Sequence, residues 1–179
     1  QIFITTSFLV IFKFAIEFFE EINLAFISVL LLEGLFFFNY TSPEFNVNIS
    51  QLPFWSLSIF FTWQCIKKDN KANYVLLGLC IGLGFLSKYL FLYLILGIKL
   101  LFIFLIVKRE VKSFNFLLTG IVAFLVVLPH IVWLFENNFI TIFYGLQRTG
   151  GVDGIKDYFT LPIIFLLKQI ILLIPLFFM

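Results

Sequence analysis

The sequence predicts an all-α integral membrane protein, a polytopic bundle of about seven transmembrane helices. Hydrophobic residues make up 62% of the chain and charged residues only 12%, and the mean hydropathy is +1.11. The apolar residues form stretches close to the roughly 20 residues that a helix needs to cross a membrane. Nothing alternates like a barrel strand, and lipid cannot satisfy open backbone groups, so these stretches are predicted to be helices.

Seven apolar spans lie between polar or charged segments. Their approximate bounds are 2–16, 22–38, 51–66, 73–87, 89–107, 114–134 and 162–179. We expect residues 1–179 to form a single transmembrane domain from a longer protein. The expected missing part is N-terminal and holds a first outer loop, and further C-terminal sequence is an open alternative.

Charge sets the predicted orientation. Two basic segments, Lys67–Lys71 and Lys108–Lys112, flank the longest apolar stretch and are predicted to lie on the cytoplasmic side. The connections 39–50 and 135–161 then lie together on the outer side, and so does Lys88, between the fourth and fifth spans. The acidic segment 17–21 is expected on the cytoplasmic side, near the basic ones.

The outer segments hold most of the unusual polar residues. Arg148 is followed by Thr-Gly-Gly, a pattern that would form a backbone nest beside a guanidinium and bind phosphate, although an ordinary solvated loop is the alternative. His130 and Lys88 are predicted at the same face. One hypothesis is that these groups converge on one anionic ligand; for His130, a helix-end hydrogen bond is the simpler interpretation.

Three charges fall inside predicted spans. Glu33 and Lys168 lie at similar depths, so we expect them to face the protein interior, where they could pair and fix helix register. Lys99 lies near the midplane, and its flexible stem would let the ammonium group reach toward the cytoplasmic face.

Glycine and proline positions predict local features of the helices. Gly78, Gly82 and Gly84 place small residues on the fourth span, as close packing against another helix requires. Pro53 and Pro162 are predicted in first helical turns, where a missing N–H costs little. Pro129 is predicted to kink the sixth span.

Several classes of function are disfavoured by composition. The net charge of +2 is small and its cations are scattered, which argues against nucleic-acid binding. The chain has one histidine, and Cys65 and Cys80 lie in apolar spans without metal-ligand spacing. No phosphate-binding or dinucleotide-binding glycine motif is present. We therefore expect no metal and no cofactor.

Three blocks of sequence resemble a known enzyme family. They are 45–55 (FNVNISQLPFW), 78–89 (GLCIGLGFLSKY) and 129–139 (PHIVWLFENNF). They are similar to bacterial members of glycosyltransferase family 39, the dolichyl-phosphate-mannose-protein mannosyltransferase-like group that includes the lipid A aminoarabinose transferases. The resemblance implies a GT-C transmembrane domain in the bacterial inner membrane, with its active face toward the periplasm.

The resemblance also implies the reaction and its residues. The donor would be a polyprenyl-phosphate-linked sugar, and the acceptor a lipid, a glycan or a protein. Lys88 matches the lysine of the family's LSK block, which neutralises the donor phosphate. The main catalytic base is expected outside this chain, with Glu44 as the candidate within it. The predicted substrate-binding residues are Lys88, Tyr89, Arg148, His130, Asn46, Asn48 and Glu136.

Two other functions stay open at the level of sequence. A transporter or lipid flippase would use polar groups at several depths, a role that suits Glu33, Lys99 and Lys168. Transporters often contain repeated halves, and this sequence shows no repeat. A non-catalytic membrane subunit would need neither Lys88 nor Arg148.

Overall fold

The computed structural model describes residues 1–35, 38, 44–110, 113–148, 154 and 156–177, and these residues contain helices and no strand. The helices are α1 (Ile2–Ala15), α2 (Ile22–Glu33), α3 (Val47–Lys68), α4 (Lys71–Ser87), α5 (Leu92–Val107), α6 (Ser113–Glu136), α7 (Ile140–Arg148) and α8 (Asp157–Phe177), and a 3₁₀ turn (Tyr89–Phe91) precedes α5. The predicted all-α fold is confirmed.

Each of the seven predicted spans contains a helix, although α2 ends at Glu33, before the predicted end of its span at residue 38. Within the described residues, three stretches are long and apolar enough to cross a membrane: Tyr89–Val107, Phe114–Glu136 and Asp157–Ile174. The apolar helices α1, α2 and α4 are shorter. The described part of the chain is therefore part of a helical membrane domain, with three helices long enough to cross a membrane and shorter apolar helices packed with them.

Two helices begin earlier than the sequence predicts. The Oδ1 atom of Asn46 accepts hydrogen bonds from the backbone N–H groups of Asn48 (2.9 Å) and Ile49 (3.3 Å), so α3 begins at Val47. Pro53 therefore lies in the second turn. Because α8 begins at Asp157, the expectation that Pro162 opens this helix is also wrong. The predicted kink at Pro129 falls inside α6, which runs without a break from Ser113 to Glu136.

The connection between spans at 135–161 contains a helix, α7, that was not predicted. Asn138 (φ 50°) and Phe139 (φ 56°) both adopt left-handed backbone conformations after α6, and a new helix then begins at Ile140. The missed signal is the helical spacing of apolar residues from Phe139 to Leu146. Of the polar residues in this segment, only Thr141, Gln147 and Arg148 belong to α7.

Helix α4 is the centre of the bundle and packs against both α3 and α6, while α1 packs against α3 and α2 against α1. A Cβ atom added at Gly78 would lie 2.7 Å from the carbonyl oxygen of Thr119, and one at Gly82 would lie 2.7 Å from the Cβ of Val126. Glycine lets α4 and α6 approach this closely, which confirms the predicted packing role. Gly84 instead contacts the ring of Phe91.

The end of the bundle that carries Lys67, Lys68 and Lys108, called the basic end below, is held by hydrogen bonds between helices. The carboxylate of Glu17 accepts bonds from the side chains of Lys67 (2.7 Å), Gln64 (2.7 Å) and Trp63 (3.1 Å). The hydrogen bond from Lys67 is the main reason that the pKa of Glu17 falls from 4.5 to about 2. The acidic and basic segments therefore share one end, as predicted.

A second network at the basic end joins α3, α4 and α6. Asp69 ends α3 with a left-handed backbone, and its Oδ1 atom accepts bonds from Tyr74 Oη (3.0 Å) and Asn115 Nδ2 (2.9 Å). The Oγ1 atom of Thr119 donates to the carbonyl oxygen of Tyr74 (3.0 Å). Beside these groups lies an apolar core made of Cys65, Tyr74, Leu77, Ile81, Ile98, Phe102 and Leu105.

The charges within the spans are not enclosed by the protein. The side chains of Glu33, Lys99 and Lys168 are all exposed, so the expectation that Glu33 and Lys168 face the interior is wrong. The physical reason for Lys168 is that α8 has almost only exposed side chains and buries none of its faces. Lys99 projects from α5 into a groove that is described below.

Candidate active site

Lys88 lies at the end of the bundle opposite the basic end, between α4 and the 3₁₀ turn. Its backbone is extended (φ −162°, ψ 128°), so α4 stops here. The backbone N–H of Lys88 donates to Gly84 (3.2 Å), and its carbonyl accepts from Phe91 (2.9 Å). Its ammonium group donates a hydrogen bond to Oδ1 of Asn48. These backbone hydrogen bonds fix the position of the Lys88 backbone, from which the charged side chain extends.

The two predicted asparagine ligands have different roles in the structure. Asn46 caps α3, and its Oδ1 atom already accepts two backbone hydrogen bonds. Asn48 lies in the first turn of α3 and directs its Oδ1 atom at Lys88. Asn48 therefore contacts the predicted phosphate-binding lysine, whereas the structure gives Asn46 a role in forming the helix.

Lys88 and Asn48 line a cavity of about 500 Å³, called the Lys88 cavity here. Gln51 and Gln169 add two amides, and the rest of the lining consists of apolar and aromatic side chains such as Trp55. The indole N–H of Trp55 donates to Oε1 of Gln51 (3.4 Å). The predicted site residues omitted Gln51, Trp55 and Gln169. Gln169 lies on α8, and sequence alone does not show that α8 lines the same cavity as α3.

Tyr89 forms a separate polar cluster on another side of the same connection. Its Oη atom lies 2.7 Å from Nε2 of His130 and 2.7 Å from Oγ1 of Thr141. The ring of His130 stacks on Trp133 with centroids 5.7 Å apart and an angle of 14°. These three residues, called the Tyr89 cluster below, join the 3₁₀ turn to α6 and α7: they are Tyr89, His130 and Thr141. Thr141 was missed because α7 was predicted to be loop.

A second cavity of about 520 Å³ runs along α4, α5 and α6, and His130 and Lys99 are among the residues that line it. The remaining lining is almost wholly apolar. Lys88 and His130 thus line different cavities. Lys88 points toward α3, while Tyr89 and His130 meet at α6. The convergence of Lys88, His130 and Arg148 on one ligand stays a prediction, and the side chain of Arg148 lies outside the described residues.

Two other predicted site residues, Glu44 and Glu136, are not among the described residues that line either cavity. Glu44 precedes α3 and is exposed, and Glu136 is the exposed last residue of α6. Arg148 is the last residue of α7, but its side chain and the nest predicted over 148–151 lie outside the part of the chain that the structure describes. In the described residues, no three histidine, cysteine, aspartate or glutamate side chains group as metal ligands would.

The Lys88 cavity combines one cation, three amides and an extended apolar wall. A lysine ammonium group binds phosphate as a point charge, and buried apolar area favours hydrocarbon. Such a cavity suits an amphiphile with an anionic head group and a long apolar chain. Polar groups next to the cation could bind hydroxyl groups attached to that head group.

Comparison with known proteins identifies the family. The family model for dolichyl-phosphate-mannose-protein mannosyltransferases matches residues 1–133, which include Lys88, Asn48 and His130. No curated protein and no solved structure matches the chain. The match covers most of the 179 residues and agrees with the helical membrane fold. The chain therefore belongs to the dolichyl-phosphate-mannose-protein mannosyltransferase family, whose members are membrane glycosyltransferases of the GT-C type.

Proposed function

We propose that this protein transfers a sugar from a polyprenyl-phosphate donor to an acceptor lipid, glycan or protein at the periplasmic face of a bacterial inner membrane. The observation that carries this proposal is the contact between Lys88 and Asn48 at the Lys88 cavity. It supplies one positive charge, positioned by a neutral amide, beside apolar walls. A polyprenyl phosphate carries the matching negative charge and hydrocarbon chain.

The positive charge of Lys88 would act on the leaving group of the reaction, the polyprenyl phosphate. In the transfer, the bond between the sugar's anomeric carbon and the phosphate oxygen breaks, and its electron pair stays on the phosphate. The acceptor hydroxyl forms the new bond and loses its proton to a base. Lys88 would stabilise the negative charge that develops on the phosphate, an interaction that grows toward the transition state. Asn48 would hold the ammonium group in place through its Oδ1 atom.

The base is the part of this mechanism with the least support within the chain. Glu44 is exposed at the Lys88 end, ahead of α3, and is the candidate carboxylate. The alternative, implied by the resemblance, is a carboxylate outside residues 1–179. Glu44→Gln separates these two: loss of transfer would support Glu44, and unchanged transfer would place the base elsewhere. Glu20→Gln, at an exposed position near the basic end, is the matched control.

The test of the proposal is sugar transfer from radiolabelled polyprenyl-phosphate sugars, in membranes that contain the full-length protein. Lys88→Ala is compared with Lys68→Ala, which removes an exposed lysine at the basic end. We expect Lys88→Ala to lower transfer by roughly 100-fold, as the loss of one group that stabilises developing charge does, and Lys68→Ala to leave it unchanged. Lys88→Arg should keep part of the activity because it keeps the charge.

Two results would contradict the proposal. Equal transfer by Lys88→Ala and wild type would remove Lys88 from the donor site while keeping the enzyme. Absence of transfer by wild type with each of several donor sugars would favour the transporter or flippase. Lipid translocation in reconstituted vesicles would then be the next measurement.

A further inference from the structure

We propose that Thr141 is a positioning residue for the transfer reaction and acts on Lys88 through Tyr89. This inference rests on the proposed function, in which Lys88 faces the donor phosphate. Thr141 contacts Tyr89, the residue that follows Lys88, so its effect on the reaction would pass through the backbone that joins these two residues. Helix α7 would thereby support the donor site, although none of its described residues lines the Lys88 cavity.

The ammonium group of Lys88 is held at its far end by α3. It donates to Oδ1 of Asn48, which lies in the first turn of that helix. A lysine stem is flexible, so the place that its charge can reach depends on where the backbone sets the start of the stem. The position of the charge therefore depends on the connection between α4 and α5, residues 88–91.

That connection is anchored by packing at the end nearer α5. Phe91 is fully buried, and its ring lies against Gly84 of α4, where a larger residue would leave no room for it. The same ring meets Trp55 of α3 edge to face, with centroids 5.6 Å apart. The end of the connection nearer Lys88 needs contacts of its own.

Tyr89 supplies those contacts. Its Oη atom lies 2.7 Å from Nε2 of His130 and 2.7 Å from Oγ1 of Thr141, and its ring lies 5.4 Å from that of Phe85. A phenol has one proton, so it donates to one of the two partners and accepts from the other. A threonine hydroxyl can take either role, which lets both hydrogen bonds form whether or not Nε2 of His130 carries a proton.

The two partners of Tyr89 stand on helices that are held differently. His130 is on α6, which packs closely against α4. Thr141 lies in the first turn of α7, after two residues with left-handed backbone, and most of the described side chains of α7 are exposed. Thr141 therefore gives Tyr89 a support that is independent of the contact between α4 and α6.

The rate of transfer should be sensitive to this support. A displacement of about 1 Å in a group that acts in the transition state can lower a rate by about 100-fold. Loss of the hydrogen bond to Thr141 would loosen Tyr89 without releasing it, since His130 still holds the same hydroxyl. We therefore expect a smaller loss, of about fivefold, which corresponds to one neutral hydrogen bond.

The experiment is a double-mutant cycle on sugar transfer, measured in membranes that contain the full-length protein. Thr141→Val keeps the shape of the side chain and removes its hydroxyl, and it is introduced into the wild type and into Lys88→Ala. We expect transfer to fall by about fivefold in the wild-type background. It should not fall further in Lys88→Ala, because the effect passes through Lys88. Thr141→Ser, which keeps the hydroxyl, should transfer at close to the wild-type rate.

Thr6→Val is the matched control. It also removes a hydroxyl from a threonine in a helix, but this hydroxyl donates to the carbonyl oxygen of Ile2 in the same helix (2.8 Å). We expect it to leave transfer unchanged. Two results would overturn the proposal: no fall for Thr141→Val in the wild-type background, or an equal fall in the Lys88→Ala background. A purely structural contact would act equally on both backgrounds.

A second measurement does not depend on transfer. In the purified full-length protein, mass spectrometry follows the rate at which an amine-reactive reagent acylates Lys88, with the exposed Lys68 as internal reference. Thr141→Val should raise the ratio of the two rates by up to about fivefold, because Lys88 spends more time away from Asn48. An unchanged ratio would overturn the proposal. Failure of the proposed function would appear instead as no transfer by the wild type, with the ratio still raised by Thr141→Val.

Discussion

The two ends of the helix bundle use their polar side chains in opposite ways. At the basic end, Glu17 and Asp69 accept hydrogen bonds from side chains of the neighbouring helices and close the structure. At the Lys88 end, Lys88 and His130 line cavities. Networks whose members are all satisfied rigidify a structure, whereas groups beside open space can bind something else. We therefore expect the basic end to contribute mainly to stability and the Lys88 end to bind a ligand.

Helices α4 and α6 pack against each other between the two ends of the bundle. We expect a substitution in this contact to have the largest effect on stability. Gly82→Ala would bring a Cβ atom within 2.7 Å of Val126 and 3.2 Å of the carbonyl oxygen of Ala123. We expect it to lower the free energy of unfolding by about 1–3 kcal/mol through overpacking. Gly120→Ala is the control, since its Cβ atom meets nothing within 4 Å, and should be neutral or slightly stabilising. Denaturation in detergent measures both, and equal stability would mean that α4 and α6 are not closely packed.

Tyr89→Phe tests whether the Lys88 end depends on the Tyr89 cluster. The substitution removes the hydroxyl that contacts His130 and Thr141 and leaves the ring. We expect transfer to fall by about tenfold, and stability by about 1 kcal/mol, because two hydrogen bonds to other helices are lost. Tyr144→Phe, at an exposed position on α7, is the matched control. If Tyr89→Phe behaved like Tyr144→Phe, the cluster would have no role in activity.

Glu17→Gln tests the closed basic end with a smaller change. It removes the charge that accepts bonds from Lys67, Gln64 and Trp63 while keeping the shape of the side chain. We expect a loss of about 1 kcal/mol of stability, since the partner Lys67 is half exposed and solvent weakens the pair. Sugar transfer should not change. A loss of transfer equal to that of Tyr89→Phe would contradict the division between the two ends.

The lowered pKa of Glu17 predicts that its contribution to the free energy of unfolding depends on pH only in the acidic range. The pKa of Glu17 is lowered from 4.5 to about 2, so the folded state favours its charged form. Its contribution to stability is complete above pH 4.5 and is lost as the pH falls toward 2. The difference in unfolding free energy between wild type and Glu17→Gln should therefore shrink over this range. A difference that stays constant down to pH 2 would show that Glu17 is not charge-paired.

The helices were more predictable than the site. The length of the apolar stretches predicts α4, α5 and α6 well, because hydrophobic burial in lipid is a property of local sequence. Helix α7 was missed although the spacing of its apolar residues is helical. The break between α6 and α7 was less predictable, because it lies at two left-handed residues, Asn138 and Phe139, that no composition rule requires. Lys88 was identified because a cation between two apolar spans is unusual. The separation of Lys88 from Tyr89 was not predictable, because it depends on the backbone angles of one residue and on the packing of α3 and α6.

The connection between α4 and α5 is short, with an extended backbone at Lys88 followed directly by the 3₁₀ turn. Its first two side chains point in different directions, Lys88 to Asn48 and Tyr89 to His130. Inserting or deleting one residue here would change which side chain reaches Asn48 and which reaches His130. The number of residues between Gly84 and Leu92 is therefore as much a part of the chemistry as their identity. Chimeras that join α4 of one relative to α5 of another should keep that number unchanged.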